Sequence, residues 1–219
     1  MLALYGHPFS SYTWKAQIAL HALGLDYDFR VIDDEHPDNG QIIATQAGPQ
    51  GQFPVLVDGE NVIFEATCVV EYLDLHFPGN VALIPSDPDA ALGVRMLDRV
   101  FDNAVMNVMQ RTVWEYIFRS GGPDPDVVAD VQQRLHRSYA WIEGWLAHYP
   151  LRNTDHVTLI ECAAAPSLFY ADWVEQIGDD YPRLKAWRAH LNALPAISRC
   201  IEAARPFRPF FPLGAPDRD

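Results

Sequence analysis

A strand, a helix and a second strand fall within the first 32 residues, and this pattern limits the fold more than any other feature. Leu2 to Tyr5 is a short apolar run that Gly6 and Pro8 end. From Tyr12 to Leu25, apolar residues recur every three or four positions, which is typical of a helix. Tyr27 to Val31 alternates and predicts a strand. Because a helix lies between the two strands, they must pair in parallel.

The next 45 residues complete a small unit of strands and helices. Asp33 to Gly51 is polar and rich in Gly and Pro, which predicts mostly loop with room for a short helix. Val55–Val57 and Val62–Phe64 flank turn residues and predict a β-hairpin. Glu65 to Phe77 is again helical. The first domain is therefore predicted to span residues 1–78.

The rest of the chain reads as helical throughout. A linker over residues 79–87 leads to Asp87-Pro88, an N-cap followed by proline at the first helical position. The pattern predicts one long helix, Asp89–Arg119, and a second that carries Val128 to Trp145. Further helices are predicted over 159–174, 182–193 and 196–204, with an irregular tail from Pro206 to Asp219. The fold class is thus α+β, with an all-α domain over residues 88–219.

Charge and cysteine usage exclude several classes of function. The chain has 16 Lys and Arg against 29 Asp and Glu, a formal net charge of −13. Without a basic stripe, nucleic acid and anionic membrane surfaces are disfavoured as partners. No run approaches the ~18 apolar residues of a membrane span. Three widely spaced cysteines and eight unpaired histidines form neither a disulfide framework nor a metal site. We expect a soluble cytoplasmic protein without a metal.

Three short segments carry the chemical signal, and each has two interpretations. Pro54, directly before a strand, fits a trans proline at an edge strand or a cis proline that exposes the main chain of Phe53. Ser10, at the start of the first helix, fits a plain N-cap or a site that stabilises an anion or thiolate. Glu65 and Thr67 fit simple N-capping or a helix N-terminus that binds a carboxylate.

A fourth segment has a structural interpretation. Thr158 and Glu161 have the spacing of a capping box, in the stretch that begins at Asp155. Val157 and Cys162 flank the box at the positions of a hydrophobic staple. This predicts a buried helix start and not a binding site.

Taken together, the order and spacing of these segments resemble the cytosolic glutathione transferase family, in its serine-type, bacterial-like form. The resemblance covers about residues 1 to 205 and implies a thioredoxin-like first domain. Each motif alone is modest, whereas their order is specific. The matching segments are Leu4-Tyr5-Gly6, Ser10, Trp14 to Leu20, Pro49 to Pro54, Glu65-Ala66, Glu71 to Leu73, Thr158 with Glu161, and Leu194 to Ile197.

The resemblance implies catalytic roles at the first helix. Ser10 stands where serine-type members place the hydroxyl that activates the thiol of glutathione. Tyr5 stands at the position of the phenol in tyrosine-type members, and Ser11 and Tyr12 are close enough to compete. A free thiol titrates near pKa 8.5. A fall of two units needs about 2.7 kcal/mol, which one charge-assisted hydrogen bond and a helix dipole can supply.

The resemblance also implies how glutathione is held. Pro54 is expected to be cis, and the main chain of Phe53 to pair with the cysteinyl part of glutathione. Glu65 is expected to hold the γ-glutamyl end. The family usually has Ser at the next position, where this chain has Ala66, so one hydrogen bond worth about 0.5–1.5 kcal/mol is missing.

Other residues are candidates for the two ends of the site. For the glycyl carboxylate they are Gln52, preferred here, followed by His36 and Gln41. For a small apolar electrophile, the long helix offers a stripe that is also typical of plain core. The stripe and its neighbours are Met106, Met109, Arg111, Val113, Trp114, Phe118, Tyr170 and Trp173.

The function implied is conjugation of glutathione to small hydrophobic electrophiles, as in detoxification, by a homodimer. Two alternatives stay open. One is a maleylacetoacetate-type isomerase that uses glutathione as a cofactor, although that class has Ser-Ser-Cys where this chain has Ser10-Ser11-Tyr12. The other is a non-catalytic binding or regulatory protein on the same fold, which Ala66 favours.

Overall fold

The first part of the chain forms a four-stranded sheet with helices on both faces. The computed structural model describes residues 1–80, 82–148 and 156–219. The sheet has the order β2-β1-β3-β4, with β1 and β2 parallel and the other neighbours antiparallel, which confirms the predicted crossover and hairpin. Its elements are β1 (Leu2–Gly6), α1 (Ser11–Ala22), β2 (Tyr27–Val31), α2 (Pro37–Gln46), β3 (Val55–Asp58), β4 (Asn61–Phe64) and α3 (Ala66–His76).

Residue alternation on β1 gives the sheet two apolar faces. Leu2 and Leu4 are buried in the large core, which includes residues of α1 and α3. Tyr5 lies on the other face, against a smaller cluster that contains Ile43 and Val55. The period of two in a strand produces this division. The first domain therefore has the thioredoxin-like α+β arrangement that the resemblance implies.

The segment over residues 33–51 holds more helix than its polar composition suggests. α2 has Pro37 at its first position and a single fully buried residue, Ile43. Asn39 ties it to the sheet by donating to the Val31 carbonyl at 2.8 Å. The helix is anchored by few apolar contacts, so its hydrophobic periodicity is too weak to read from the sequence.

The second part of the chain is all-helical, as predicted. The long helix is interrupted, however, by a π-helical turn at Phe101–Met106. Hydroxyls of the neighbouring helices bond carbonyls of this turn: Ser138 donates to Ala104 at 2.6 Å and Ser167 to Phe101 at 3.4 Å. The helices are α4 (Pro88–Val100), α5 (Asn107–Phe118), α6 (Pro125–His148), α7 (Leu159–Val174), α8 (Pro182–Ala193) and α9 (Pro195–Ala204).

Helix ends follow local chemistry. The first helix ends at Ala22, three residues before the predicted end, because Gly24 turns the chain with φ +67°. Thr158 and Glu161 form the predicted capping box at α7, whereas Asp155 lies outside the described residues.

The tail begins with a 3₁₀ segment, Arg205–Phe210, where an irregular chain is predicted. The domain limits at 78 and 88 stay a prediction, consistent with helices that end at His76 and begin at Pro88.

A buried ion cluster joins the two halves. The Lys15 ammonium on α1 lies 2.5 Å from Asp98 and 2.8 Å from Asp102, and it donates to the Thr67 hydroxyl at 2.8 Å. Arg99 contacts both carboxylates and Thr67 from the exposed side. Burial raises the pKa of the Asp102 carboxyl, and Lys15 opposes that rise. The cluster therefore fixes α1 and α3 against α4.

In the described ranges, no helix is long and apolar enough to cross a membrane. Within the same ranges, no group of three or more His, Cys, Asp or Glu side chains is arranged to hold a metal ion.

Candidate active site

The turn before α1 is built around Ser10. Ser10 is the N-cap of α1, and its hydroxyl oxygen accepts from the Thr13 N–H at 3.2 Å. The same turn is closed by the Ser10 N–H, which donates to the His7 carbonyl at 2.9 Å. An N-cap hydroxyl that accepts one N–H keeps its own hydrogen to donate. The capping interpretation and the thiol-activating one are therefore compatible in one side chain.

Both domains hold this turn in place. The indole of Trp14 donates to the Pro8 carbonyl at 2.6 Å, and the hydroxyl of Tyr170 on α7 donates to the Phe9 carbonyl at 2.9 Å. The ring of Phe207, in the 3₁₀ segment, packs edge-on to His7 at 4.7 Å between centroids. Burial lowers the pKa of His7, which favours the neutral imidazole. Packing thus holds the loop rigid enough to orient a reacting group.

Gly6 permits the close approach of the strand to the helix. A Cβ at this position would lie 2.5 Å from the hydroxyl oxygen of Thr13. That hydroxyl accepts from the His7 N–H at 3.3 Å, so it cannot move away without cost. The absence of a side chain at Gly6 is therefore a requirement of the turn.

The two other catalytic candidates occupy different surroundings. Ser11 is the first residue of α1 and is buried. Tyr5 lies in β1 between Arg30 and Val55, and packs half-buried against the small cluster on the α2 face. Phe53 is part of the same cluster. Tyr5 therefore lies on the same face of the sheet as Phe53, which belongs to the loop over residues 49–54, here called the proline loop.

The proline loop has the geometry that the resemblance implies. The Phe53–Pro54 peptide bond is cis, and Pro54 is buried at the start of β3. Phe53 is half-buried and Gln52 exposed. The cis interpretation of Pro54 is thus confirmed, whereas the roles of Phe53 and Gln52 toward glutathione stay predictions.

The start of α3 combines a strained residue with main-chain N–H groups that have no partner inside the helix. Glu65 is the N-cap residue of α3, with φ +66°, and its exposed side chain makes no capping bond. A non-glycine residue in this region is strained, and such strain clusters at functional sites. Of the two interpretations of Glu65, simple capping by its side chain is wrong, because that side chain makes no capping hydrogen bond. Ala66 is buried, and its N–H belongs to the first turn, where helices lack internal partners.

The hydroxyl of Thr67 does not replace the serine missing at Ala66. It accepts from Lys15 at 2.8 Å and donates to Asp98 at 3.0 Å, within the buried ion cluster. Its capping role, predicted as an alternative to that of Glu65, is also wrong. The Ala66 site therefore has no substitute hydroxyl from the next residue.

The glycyl candidates lie on α2 and in the loops on either side of it. His36 is exposed and contacts Asp33, with its Nδ1 atom 2.7 Å from Oδ1. Hydrogen bonds from His36 lower the pKa of the Asp33 carboxyl. Gln41 is exposed on α2. His36 is thus already paired, and Gln41 and Gln52 have accessible amides.

The proposed lining of the electrophile pocket divides into two groups. Met106, Met109 and Val113 are buried core residues, and so are Tyr170 and Trp173, which is the ordinary structural interpretation. Arg111 is held by Asp130 on α6 at 2.6 Å. Only Trp114 and Phe118 keep large exposed surfaces, 50% and 79%.

A contact that sequence reasoning missed spans the two domains beside Ser10. The hydroxyl of Tyr12 donates to the side-chain carbonyl of Asn107 at 2.6 Å, across 95 residues of chain. Burial, and then Asp102, raise the pKa of the Tyr12 phenol well above its ordinary value, while Arg99 opposes them. Tyr12 therefore stays protonated at neutral pH, which makes it a poor base for activating a thiol.

A cavity of about 380 Å³ lies elsewhere, between α6 and the α4–α5 region. None of the predicted site residues lines it; the lining includes Val100, Ala104, Arg137 and Trp141. The cavity therefore does not mark the candidate site.

Comparison with known proteins identifies the family. The family model of the glutathione S-transferase N-terminal domain matches residues 4–81. The family model of the glutathione S-transferase C-terminal domain matches residues 105–195. The chain belongs to the cytosolic glutathione transferase family. Members of this family use glutathione, so the Ser10 turn, the proline loop and the start of α3 form its candidate glutathione site.

Three relatives illustrate the range of this transferase family. Glutathione S-transferase F6 of Arabidopsis thaliana is 26% identical over 212 residues, which cover 91% of this chain and 99% of that one. Maleylpyruvate isomerase of Ralstonia sp is 25% identical over 210 residues, covering 94% and 99%. A glutathione S-transferase structure from Methylobacillus flagellatus with glutathione bound has a TM-score of 0.77 at 22% identity, covering 91% and 98%.

Proposed function

We propose that this transferase conjugates the glutathione thiolate to small apolar electrophiles, with Ser10 as the group that activates the thiol. The carrying observation is the Ser10 hydroxyl at the N-terminus of α1, with its oxygen accepting one N–H and its hydrogen free to donate. A hydroxyl donor and the positive end of a helix dipole both favour a thiolate. The main chain of Phe53 and the residues Glu65 and Ala66 hold the tripeptide, with Gln52 at its glycyl end.

The test compares Ser10→Ala with Ser11→Ala. Conjugation to 1-chloro-2,4-dinitrobenzene is followed from pH 5.5 to 9. In Ser10→Ala the apparent pKa of the bound thiol should rise toward 8.5, and turnover at pH 6.5 should fall by one to two orders of magnitude. The affinity of Ser10→Ala for glutathione should differ from that of the parent by less than threefold. Ser11→Ala should have the turnover and the pH profile of the parent chain. An unchanged pH profile in Ser10→Ala would transfer the role to Ser11 or Tyr5.

An isomerase that uses glutathione without consuming it is the second candidate. The Ralstonia maleylpyruvate isomerase, at 25% identity over nearly the whole chain, supports it, as does the Ser10-Ser11 pair. The two activities differ in stoichiometry, because conjugation removes one glutathione for each product. The chain is incubated with glutathione and a cis-configured unsaturated diketo acid, and the free thiol is measured throughout. The free thiol falls if the chain conjugates and stays constant if it isomerises.

A non-catalytic binding protein is the third candidate, supported by Ala66. Thermal unfolding with and without millimolar glutathione tests whether the chain binds the tripeptide at all, since a ligand of the native state raises the melting temperature. We further propose a homodimer located in the cytoplasm with a role in detoxification.

A further inference from the structure

The tail that follows α9 folds back onto the loop that leads to Ser10. The ring of Phe207, in the 3₁₀ segment of the tail, lies edge-on to His7 with 4.7 Å between the centroids. The buried ring of Phe211 lies edge-on to Phe9 at 6.3 Å. The tail therefore supplies aromatic contacts to the loop between β1 and α1.

His7 connects these contacts to the position of Ser10. The carbonyl of His7 accepts from the Ser10 N–H at 2.9 Å, and its Nδ1 atom accepts from the Phe9 N–H at 3.1 Å. The imidazole thus bonds back onto its own loop, while the ring of Phe207 lies against it. A displacement of that ring would release His7, and with it the hydrogen bond that closes the Ser10 turn.

The tail is closed by ion pairs at Asp219. The carboxylate of Asp219 lies 2.6 Å from Nη2 of Arg205 and 2.7 Å from Nη1 of Arg208. These two arginines flank Phe207 in the sequence, and Arg208 also donates to two main-chain carbonyls of the tail, at 2.7 and 2.9 Å. Residues 205–219 therefore form a closed loop, here called the tail strap, that holds Phe207.

The far end of the tail strap is anchored on the helical domain. Arg218 donates to the Asp172 carboxylate at 2.7 Å, and the indole of Trp173 donates to the Arg218 carbonyl at 3.2 Å. Arg188, a buried residue of α8, donates to the main-chain carbonyl of Asp219 at 2.8 Å. The carboxylate that closes the tail strap is thus itself held in place by α7 and α8.

We propose that Phe207 is a positioning residue for the Ser10 hydroxyl, and that the ion pairs of Asp219 keep Phe207 in place. The inference rests on the proposed role of Ser10 and adds the tail strap to the parts of the chain that the reaction needs. Asp219 fixes Phe207, Phe207 holds His7, and His7 closes the turn. The helical domain thereby orients a group that belongs to the first domain.

The test measures the pKa of the glutathione thiol bound to the full chain, from the ultraviolet absorbance of its thiolate, together with turnover of 1-chloro-2,4-dinitrobenzene. Phe207→Ala should raise the pKa of the bound thiol by about 0.5–1, because the Ser10 hydroxyl is no longer aimed at the sulfur. Turnover at pH 6.5 should fall about three- to tenfold, since below its pKa the thiolate falls tenfold for each unit. Phe207→Tyr keeps the ring and should have the pKa and the turnover of the parent.

Asp219→Asn tests the closure of the tail strap. It should raise the pKa of the bound thiol in the same direction as Phe207→Ala, because Arg205 and Arg208 lose their common partner. Glu202→Gln is the matched control. It removes the other carboxylate that Arg205 contacts, at 2.8 Å, and leaves the tail strap closed, so the pKa of the bound thiol should stay that of the parent.

A double variant separates positioning from packing. Ser10→Ala has no hydroxyl to orient, so adding Phe207→Ala to it should leave the pKa of the bound thiol unchanged to within about 0.2. A purely structural role of Phe207 predicts instead that the two effects add. Melting temperatures of all variants show whether the fold is intact.

Three results would overturn the inference. One is a parent-like thiol pKa in Phe207→Ala although Ser10→Ala raises it. Another is a further rise when Phe207→Ala is added to Ser10→Ala. The third is a thiol pKa in Asp219→Asn that equals the one in Glu202→Gln. If the chain binds no glutathione, or if Ser10→Ala leaves the thiol pKa unchanged, the proposed role of Ser10 fails, and the inference fails with it.

Discussion

At the scale of single residues, we expect the position after Glu65 to set how tightly glutathione binds. Ala66 is buried at the first turn of α3, and the hydroxyl of Thr67 is engaged with Lys15 and Asp98. A serine at position 66 would add a donor for the γ-glutamyl carboxylate. We expect Ala66→Ser to lower the Kd of glutathione by three- to tenfold, since one net hydrogen bond is worth about 0.5–1.5 kcal/mol.

Isothermal titration calorimetry measures the Kd of glutathione for the parent chain and for Ala66→Ser, with Cys68→Ser as the control. Cys68 lies two positions farther along α3 and is exposed, so its substitution adds a hydroxyl outside the γ-glutamyl position. Equal affinities for the parent and Ala66→Ser would mean that the main chain or water already satisfies the carboxylate.

Residue-level prediction succeeded where a role depends on a short motif and failed where it depends on distant contacts. Ser10 and Pro54 are recognisable because caps and strand starts are local. The Tyr12–Asn107 bond joins positions 95 apart, and no local signal pairs them. The sequence leaves two interpretations of Glu65 open because its positive φ, which goes with the absence of a side-chain cap, is a property of the folded loop.

At the scale of secondary-structure elements, the join of β1 and α1 depends on Gly6. Gly6→Ala would place a methyl group 2.5 Å from the Thr13 hydroxyl, inside a well-packed turn. Overpacking of this kind costs about 1–3 kcal/mol. We expect that loss in urea unfolding, and lower turnover because the Ser10 turn is displaced.

A matched control is Gly93→Ala on α4. A Cβ there meets nothing within 4 Å, and alanine favours a helix more than glycine does. Gly93→Ala should therefore be neutral or stabilising. A Gly6→Ala chain as stable as its parent would show that Thr13 rotates away without cost.

A second element-level prediction concerns the contact of α1 with α9. His21 shares its ring nitrogens with the Ala196 carbonyl at 3.0 Å and the Tyr27 hydroxyl at 3.2 Å. Burial lowers the pKa of His21, the Ala196 carbonyl opposes that shift, and Arg199 adds to it. The folded chain thus binds fewer protons than the unfolded chain, whose histidines titrate near 6.5.

The unfolding free energy should therefore fall as the pH drops below about 6.5. His21→Asn should flatten this decline, although His7 keeps part of it because its pKa is lowered in the same direction. Urea melts at several pH values between 5 and 8 measure the slope. His148→Asn, at the exposed end of α6, controls for the loss of an imidazole. A parallel decline in His21→Asn and the parent would contradict the assignment.

Elements in which apolar residues recur with a regular helical spacing could be predicted from the sequence, and elements without such a spacing could not. α7 and α8 begin and end where the apolar spacing predicts. α2 is tied to the sheet by one buried isoleucine and a hydrogen bond, so composition pointed to loop. The π-helical turn at Phe101–Met106 keeps a helical pattern in the sequence, and the hydroxyls that bond its carbonyls come from other helices.

At the scale of the whole molecule, Lys15 holds the domains together. Replacing it with methionine leaves Asp98 and Asp102 buried without their main cation. Breaking a buried pair costs about 3–5 kcal/mol. We expect Lys15→Met to lose that much stability in urea unfolding. Lys15→Met combined with Asp102→Asn should recover part of it, and Lys185→Met, which breaks an exposed pair with Asp179, should lose less than about 1 kcal/mol.

The last prediction concerns assembly. Exposed apolar side chains lie on α4, where Leu92 and Met96 are 66% and 60% exposed, one helical turn apart. Members of this family pair the first domain of one chain with the helical domain of another across a two-fold axis. α3 and α4 are the helices that would form this surface, joined by the Arg95–Glu71 ion pair at 2.6 Å.

Charge opposes this association and apolar burial favours it. Each chain carries a formal net charge of −13, but its repulsion is screened over about 8 Å at physiological salt. An interface of ordinary size buries enough apolar surface to outweigh the remainder. Sedimentation at micromolar protein should therefore give twice the mass of one 24.7 kDa chain. Leu92→Glu with Met96→Glu should yield single chains, whereas Phe118→Glu, the same kind of change on α5, should leave the pair intact. A single-chain mass for the parent at both low and high salt would refute the dimer, because high salt screens the charge repulsion between the two chains.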